Sequence, residues 1–169
     1  MFCLKCGQEI AEKSTFCPHC GAKQVYRYNE VFVRNGISEQ DFISNINKWF
    51  QLHPKVANVS CRFGTDTALG LLANKYELNQ FVIEYELFDQ NNSNQYGLVK
   101  EESIALMKHD VREAVGQWQQ SHPNTKIVNW TGGVHSRGHV GSHLLGGVGA
   151  RNRTSLYILF KFPRPMNNA

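Results

Sequence analysis

Cys3-Leu-Lys-Cys6-Gly7 and Cys17-Pro-His-Cys20-Gly21 are the stretches of this chain where residue type and spacing together define a chemistry. Two thiolates separated by two residues reach one tetrahedral Zn²⁺, because the intervening turn aims its amides at the sulfurs. The glycine after each pair takes the left-handed backbone that completes the turn at no Cβ cost. Ten residues, 7–16, separate the pairs, and Ile10 and Phe16 are the large apolar side chains expected to cover the hairpin. So few residues cannot bury a core that offsets their chain entropy, so the metal must supply the folding free energy. Four cysteines close the coordination shell, which makes the ion structural and not catalytic. His19, inside the second pair, is expected as an exposed knuckle residue. A redox role would need a thioredoxin-like βαβ context, which two such pairs in a row lack.

The pattern Cys3-x-x-Cys6-Gly7 … Phe16-Cys17-Pro18-x-Cys20-Gly21 resembles the short N-terminal zinc-ribbon modules common in bacterial proteins, over residues 1–24. The resemblance implies one structural zinc and a role as an appended interaction module. Residues 25–169 form the second expected domain.

A second group of metal-capable residues lies between 131 and 153, where His135, His139 and His143 recur at a spacing of four. Seven glycines in that stretch argue against a helix, each costing about 1 kcal/mol relative to alanine. The stretch reads as a long connection, of the kind that is either functional or a flexible tip. Three imidazoles there suit a second zinc with an open position, and glycine amides with Arg137, Arg151 and Arg153 suit an anion. Val140, Leu144, Leu145 and Val148 would give it a small apolar patch. No Walker or dinucleotide sequence accompanies it. Cys61, on an apolar strand face, reads as a buried inert thiol, with His53, His109 or His122 as the bases that the fold would have to bring near it. Phe81, Tyr85, Phe160 and Phe162 suit either a base-stacking platform or, at alternating spacing, a core. Glu84 and Glu86 read as a solvated sheet face.

These residues need elements to hold them. Ser38 is a good helix N-cap and Asp41 completes a capping-box-like pair, with Ile37 and Phe42 as a hydrophobic staple. Phe42, Ile43, Ile46, Trp49 and Phe50 then share one helical face, ending at His53-Pro54. A second helix is predicted over about 99–120, with Ile104, Met107, Val111, Val115 and Trp118 inward, Glu101 and Glu102 near its start, and His122-Pro123 ending it. Alternation predicts strands at Val25–Val33, Val59–Phe63, Phe81–Leu87, Ile127–Trp130 and Leu156–Phe162. The class is α+β: a small four-cysteine zinc ribbon, then an antiparallel sheet packed on two helices. Trp49-to-Pro54 resembles Trp118-to-Pro123 at an offset of 69 residues, which points to a duplicated helix–strand–strand unit.

Charge bounds the function. The chain of 169 residues carries +4, and nearer +2 if four thiolates hold Zn²⁺. Residues 1–113 hold twelve Lys and Arg against fourteen Asp and Glu, whereas 114–169 hold six cations and no carboxylate. No apolar run approaches the roughly 18 residues of a membrane span. With no secretory signal visible, a reducing compartment is expected, the cytosol, where thiols serve metals and not disulfides. The preferred reading is a non-enzymatic binding protein whose basic C-terminal part meets nucleic acid or another anionic partner. A small enzyme using 131–153 is the alternative from another class, and a protein–protein adaptor acting through the ribbon is the third.

Overall fold

The computed structural model describes every residue except Lys13, 71–72, 89–90, 106–110, 137–151 and 165–169. Eight elements follow the ribbon: β1 (Arg27–Val33), α1 (Glu39–Leu52), β2 (Val56–Gly70), β3 (Ala73–Leu87), β4 (Asn94–Ala105), α2 (Val111–Ser121), β5 (Lys126–Ser136) and β6 (Asn152–Pro163). All strand pairings are antiparallel, in two three-stranded sheets ordered β1-β3-β2 and β4-β6-β5. The fold is thus α+β and mostly sheet. The expected single sheet is in fact two.

α1 forms where its sequence signals place it. Ser38 takes an extended N-cap conformation, and its Oγ accepts the Asp41 amide at 3.1 Å. At the other end the His53 amide donates to the Trp49 carbonyl at 3.1 Å, and the imidazole Nδ1 reaches the same oxygen at 2.7 Å. A carbonyl only accepts, so Nδ1 carries the proton. The ring then stacks on Trp49 with centroids 4.2 Å apart. α2 ends alike: His122 Nδ1 lies 2.9 Å from the Trp118 carbonyl, and the rings stack at 4.3 Å.

The helix expected over 99–120 is corrected. Residues 94–105 are β4, paired with β6 from Asn94↔Pro163 to Ala105↔Asn152, and α2 begins at Val111. Glu101 and Glu102 therefore lie on a strand and not at a helix start. The apolar spacing misleads partly because β4 is covered on both faces at Leu98 and Val99, which join or pack against different buried clusters, before Glu101 and Glu102 emerge to solvent. A strand apolar on both faces has no period of two to read.

The larger core gathers Phe42, Ile43, Ile46 and Phe50 of α1 with Val59, Cys61, Phe81 and Ile83 of the first sheet and Leu98, Tyr157 and Leu159 of the second. Leu156 and Ile158, the intervening residues of β6, pack instead with Trp118, Val111, Ala114 and Val115 of α2. Alternate residues of a strand point to opposite faces. α1 therefore lies against one face of the second sheet and α2 against the other.

Polar groups tie the sheets. Asn47 of α1 pairs with both backbone groups of Leu98, accepting from its amide at 2.7 Å and donating to its carbonyl at 2.9 Å. Its side-chain amide thus occupies the edge of β4 as a neighbouring strand would. Glu39 accepts from the Leu78 amide of β3 at 2.7 Å, from Lys100 of β4 at 2.6 Å and from the Tyr157 hydroxyl of β6. Asn129 of β5 donates to the Cys61 carbonyl of β2 at 2.9 Å.

The stretch 131–153 is not a connection throughout. Its first residues complete β5 and its last begin β6, and Gly132 and Gly133 lie inside β5. A Cβ on Gly133 would come within 2.8 Å of the Tyr76 ring, and one on Gly132 within 2.6 Å of Val111. These glycines serve close packing on a strand and not chain reversal.

Candidate metal centre

Each cysteine pair folds as a knuckle, and the two knuckles repeat one another in their backbone–backbone hydrogen bonds. The Cys3 amide donates to the Gln8 carbonyl at 2.8 Å, and the Cys17 amide to that of Ala22 at 2.8 Å. The Gly7 amide closes on the Cys3 carbonyl at 3.0 Å, and that of Gly21 on Cys17 at 2.9 Å. Gly7 and Gly21 have φ of 72° and 67°, the left-handed region that the sequence reading required of them.

The four sulfurs lie within 4.8 Å of one another. Cys3 Sγ is 3.7 Å from Cys20 Sγ, and Cys6 Sγ is 3.7 Å from Cys17 Sγ. A tetrahedron with Zn–S bonds of about 2.3 Å has edges near 3.8 Å. Disulfides need sulfurs at about 2.05 Å, so the cluster is a metal site and not a pair of bridges. The four cysteines are positioned to bind one zinc ion.

Donors surround the sulfurs as thiolates require. The Lys5 and Cys6 amides approach Cys3 Sγ at 3.4 and 3.5 Å, and the His19 amide approaches Cys17 Sγ at 3.4 Å. His19 itself is exposed, contributing its amide and not its ring. Without a cation Cys3 and Cys6 are displaced from the ordinary thiol range in opposite directions. The Cys6 amide, helped by that of Lys5, brings Cys3 down to about 6. The Gln8 amide lowers the neighbouring Cys6, yet burial and the other sulfurs outweigh it and push that thiol up to about 12. A divalent cation removes this mutual repulsion, so binding releases protons.

Gln24 is a part of the centre that the sequence reading missed. Its side chain is buried, donates from Nε2 to Cys3 Sγ at 3.3 Å and to the Ala22 carbonyl at 2.9 Å, and accepts the Leu4 amide at 3.0 Å. A glutamine four residues past a CxxC pair carries no ligand signature, so only the folded hairpin reveals it. Gln24→Ala should weaken zinc binding roughly 10- to 100-fold, as loss of a ligand's supporting hydrogen bond does. Competition against a chromogenic chelator measures this, and an unchanged affinity would deny Gln24 that role.

The hairpin is covered by Ile10, buried with Cys3 and Cys17. Phe16, expected beside it, is instead 59% exposed, as are Phe2 at 66% and Leu4 at 75%.

Elsewhere, among the described residues, the candidates do not converge. His135 stands on β5 opposite Arg153 on β6. Arg137, His139, His143 and Arg151 lie outside the described residues, as do His109, Val140, Leu144, Leu145 and Val148. Cys61 is buried in the larger core, and burial, only partly offset by Asn129, pushes its thiol up to about 12. That makes it inert. Glu84 pairs with Arg62 at 3.5 Å and Glu86 with Arg27 at 3.7 Å, on the outer face of the first sheet. Phe81 is fully buried and Tyr85 stacks on Tyr28, so neither offers a platform. Phe160 and Phe162 are only half-buried.

Among known proteins, residues 2–24 match the family model described as the zinc-ribbon domain. No characterised protein and no solved structure matches the chain. The N-terminus of this protein, over residues 2–24, is a zinc-ribbon segment with four cysteines positioned to bind one zinc ion.

Proposed function

We propose that this is a non-enzymatic cytosolic binding protein in which a zinc ribbon is joined to an α+β body that contacts nucleic acid through its basic C-terminal part. The observation that carries this reading is the β5–β6 hairpin. Residues 126–163 hold Lys126, Arg137, Arg151, Arg153 and Lys161 and no carboxylate. Pairing β5 with β6 brings Lys126, Lys161 and Arg153 of that set onto one supersecondary unit. Among the described residues no helix is long and apolar enough to cross a membrane. The test is binding of the zinc-loaded protein to single- and double-stranded DNA and RNA across a salt series. Affinity should fall steeply with salt and should weaken when Arg137, Arg151 and Arg153 are replaced together by Gln. No binding at low salt would remove nucleic acid from consideration.

A second reading rests on Phe2, Leu4 and Phe16. Three large apolar side chains more than half exposed on a module of two dozen residues suit a protein partner. In that case a triple serine variant of these positions loses the partner yet keeps its zinc, and pull-down with the arginine variant is unaffected.

The body reads as a duplicated unit, strand–helix–strand–strand, extending the helix–strand–strand repeat expected from Trp49 and Trp118. Register supports this. Ser60↔Glu84, Cys61↔Ile83 and Arg62↔Val82 become Asn129↔Leu159, Trp130↔Ile158 and Thr131↔Tyr157 on adding 69 and 75 residues. Tyr28↔Tyr85 and Phe32↔Phe81 become Gly97↔Phe160 and Glu101↔Leu156 by the same offsets. Both β2 and β5 also break register two or three residues in, at Ala57/Ser60 and Ile127/Asn129.

A further inference from the structure

The open end of the second sheet carries cations on one face and aromatic rings on the other. Lys126 of β5 lies directly opposite Lys161 of β6. Like charges facing each other across a ladder are destabilising, and among the described residues neither has a carboxylate at ion-pair distance. Arg164, just past β6, has a buried Nε with no hydrogen-bond partner. A polyanion would relieve the two lysines.

The alternate residues of the same strand are Phe160 and Phe162, stacked with centroids 5.7 Å apart and planes at 30°. Phe160 is held flat on the sheet by Gly97, where a Cβ would come within 2.7 Å of the ring. The two phenylalanines line a cleft of about 540 Å³ with Asn124, Thr125 and Pro163. Lys126 and Lys161 line a second, of about 310 Å³, with Asn94, Pro123 and the same Asn124, Thr125 and Pro163. The clefts are thus contiguous around the end of β6, one aromatic and one cationic. The carboxylates of this sheet, Glu101 and Glu102, pair with Leu156 and Ser155, five or six residues up β6 from Lys161 and roughly 17–20 Å away.

A single-stranded nucleic acid has the same two-sided chemistry, a charged backbone and flat bases free to stack. Duplex bases are already stacked and offer Phe162 nothing. We infer that the β5–β6 end, through Lys126, Lys161 and Phe162, is a binding site for single-stranded nucleic acid, with phosphate on the lysines and a base on Phe162, which Phe160 backs from the sheet side. The inference rests on the nucleic-acid reading above and assigns the contact to Lys126 and Lys161 and not to Arg137, Arg151 and Arg153.

The test is fluorescence anisotropy with a fluorescein-labelled single-stranded oligouridylate of about 12 nucleotides, within the usual site sizes. Phe162→Ala should weaken binding roughly 5- to 150-fold, the equivalent of one stacked base, and Phe162→Trp should restore it. Lys126→Gln with Lys161→Gln should lower the slope of log affinity against log salt by about 1.4, or about 0.7 per phosphate contact. Far-ultraviolet circular dichroism checks that the variants fold. Wild-type binding that these variants leave unchanged would overturn this site and leave the broader reading intact. Equal affinity for duplex of the same length would overturn the stacking role. Absence of wild-type binding at low salt would overturn both the site and the broader reading.

Discussion

Cys17→Ser should abolish zinc binding and unfold residues 1–24 while leaving the α+β body folded. The reason is the scale of the opposing effects. Ile10 is the one buried large apolar side chain of the ribbon other than its cysteines, and burying it is worth only about 2–3 kcal/mol. Fixing some two dozen residues costs an order of magnitude more. Structural zinc in peptides of this size contributes about 10–16 kcal/mol at neutral pH. A serine hydroxyl cannot supply the fourth thiolate, and Cys17, buried at 2% exposure, leaves no room for water to replace it. Zinc content should fall from one ion per chain to none, and the amide resonances of the ribbon should collapse to random-coil positions. Chelation should reproduce this in the wild-type protein, and acid should too, because protons compete for the thiolates. The body has its own core, separate from that of the ribbon. Ribbon resonances that stay dispersed without metal would show that something other than zinc folds it.

Glu39→Ala should destabilise the body by about 3 kcal/mol or more, the low end of what breaking a buried ion pair costs. Glu39 and Lys100 have side chains only 13% and 19% exposed, and the Tyr157 hydroxyl that donates to Glu39 belongs to a fully buried residue. Removing the carboxylate leaves the Leu78 amide without its partner and Lys100 with Glu102 at 2.6 Å. That surviving ion pair keeps the cost at the lower end. Burial alone would lower the Lys100 ammonium, but hydrogen bonds to Glu102 and Glu39 raise it above the ordinary lysine value. A raised lysine contributes fully below its unfolded value and loses the contribution only as pH climbs through the folded one. The deficit of the variant should therefore be flat between about pH 6 and 9. Tyr157→Phe should cost about 1–3 kcal/mol, and the double variant less than the sum, because both remove the same bond. Glu39→Met with Lys100→Met tests the origin of the effect: if uncompensated charge dominates, the pair should be more stable than Glu39→Ala alone. A Glu39→Ala deficit below about 1 kcal/mol would mean that this network does not hold the sheets together.

Some of this was written in local chemistry. Metal ligation by two CxxCG turns is decided within a few residues each, since the reach of a thiolate and the conformation of a glycine are local matters. The four ligands, the single zinc, the cap at Ser38, the face of α1 and the His-Pro endings of both helices were therefore legible. So was the fate of Cys61, because an apolar strand face buries what it carries. The likeness of Trp49-to-Pro54 and Trp118-to-Pro123 at an offset of 69 residues is likewise a feature of the sequence.

What the tertiary structure decided depended on neighbours far along the chain. Residues 94–105 became a strand because β6 supplied hydrogen-bond partners, from Asn94↔Pro163 to Ala105↔Asn152. Gly132 and Gly133 entered β5 because Val111 and Tyr76 needed the space. Gln24 acquired its role from a sulfur 21 residues away, and Glu39 its partners from three different strands. The pairing of Lys126 with Lys161 likewise exists only across a ladder. Ligation and capping are short-range and repeat wherever their residues occur, whereas burial, register and charge proximity are set by which distant segments the chain brings together.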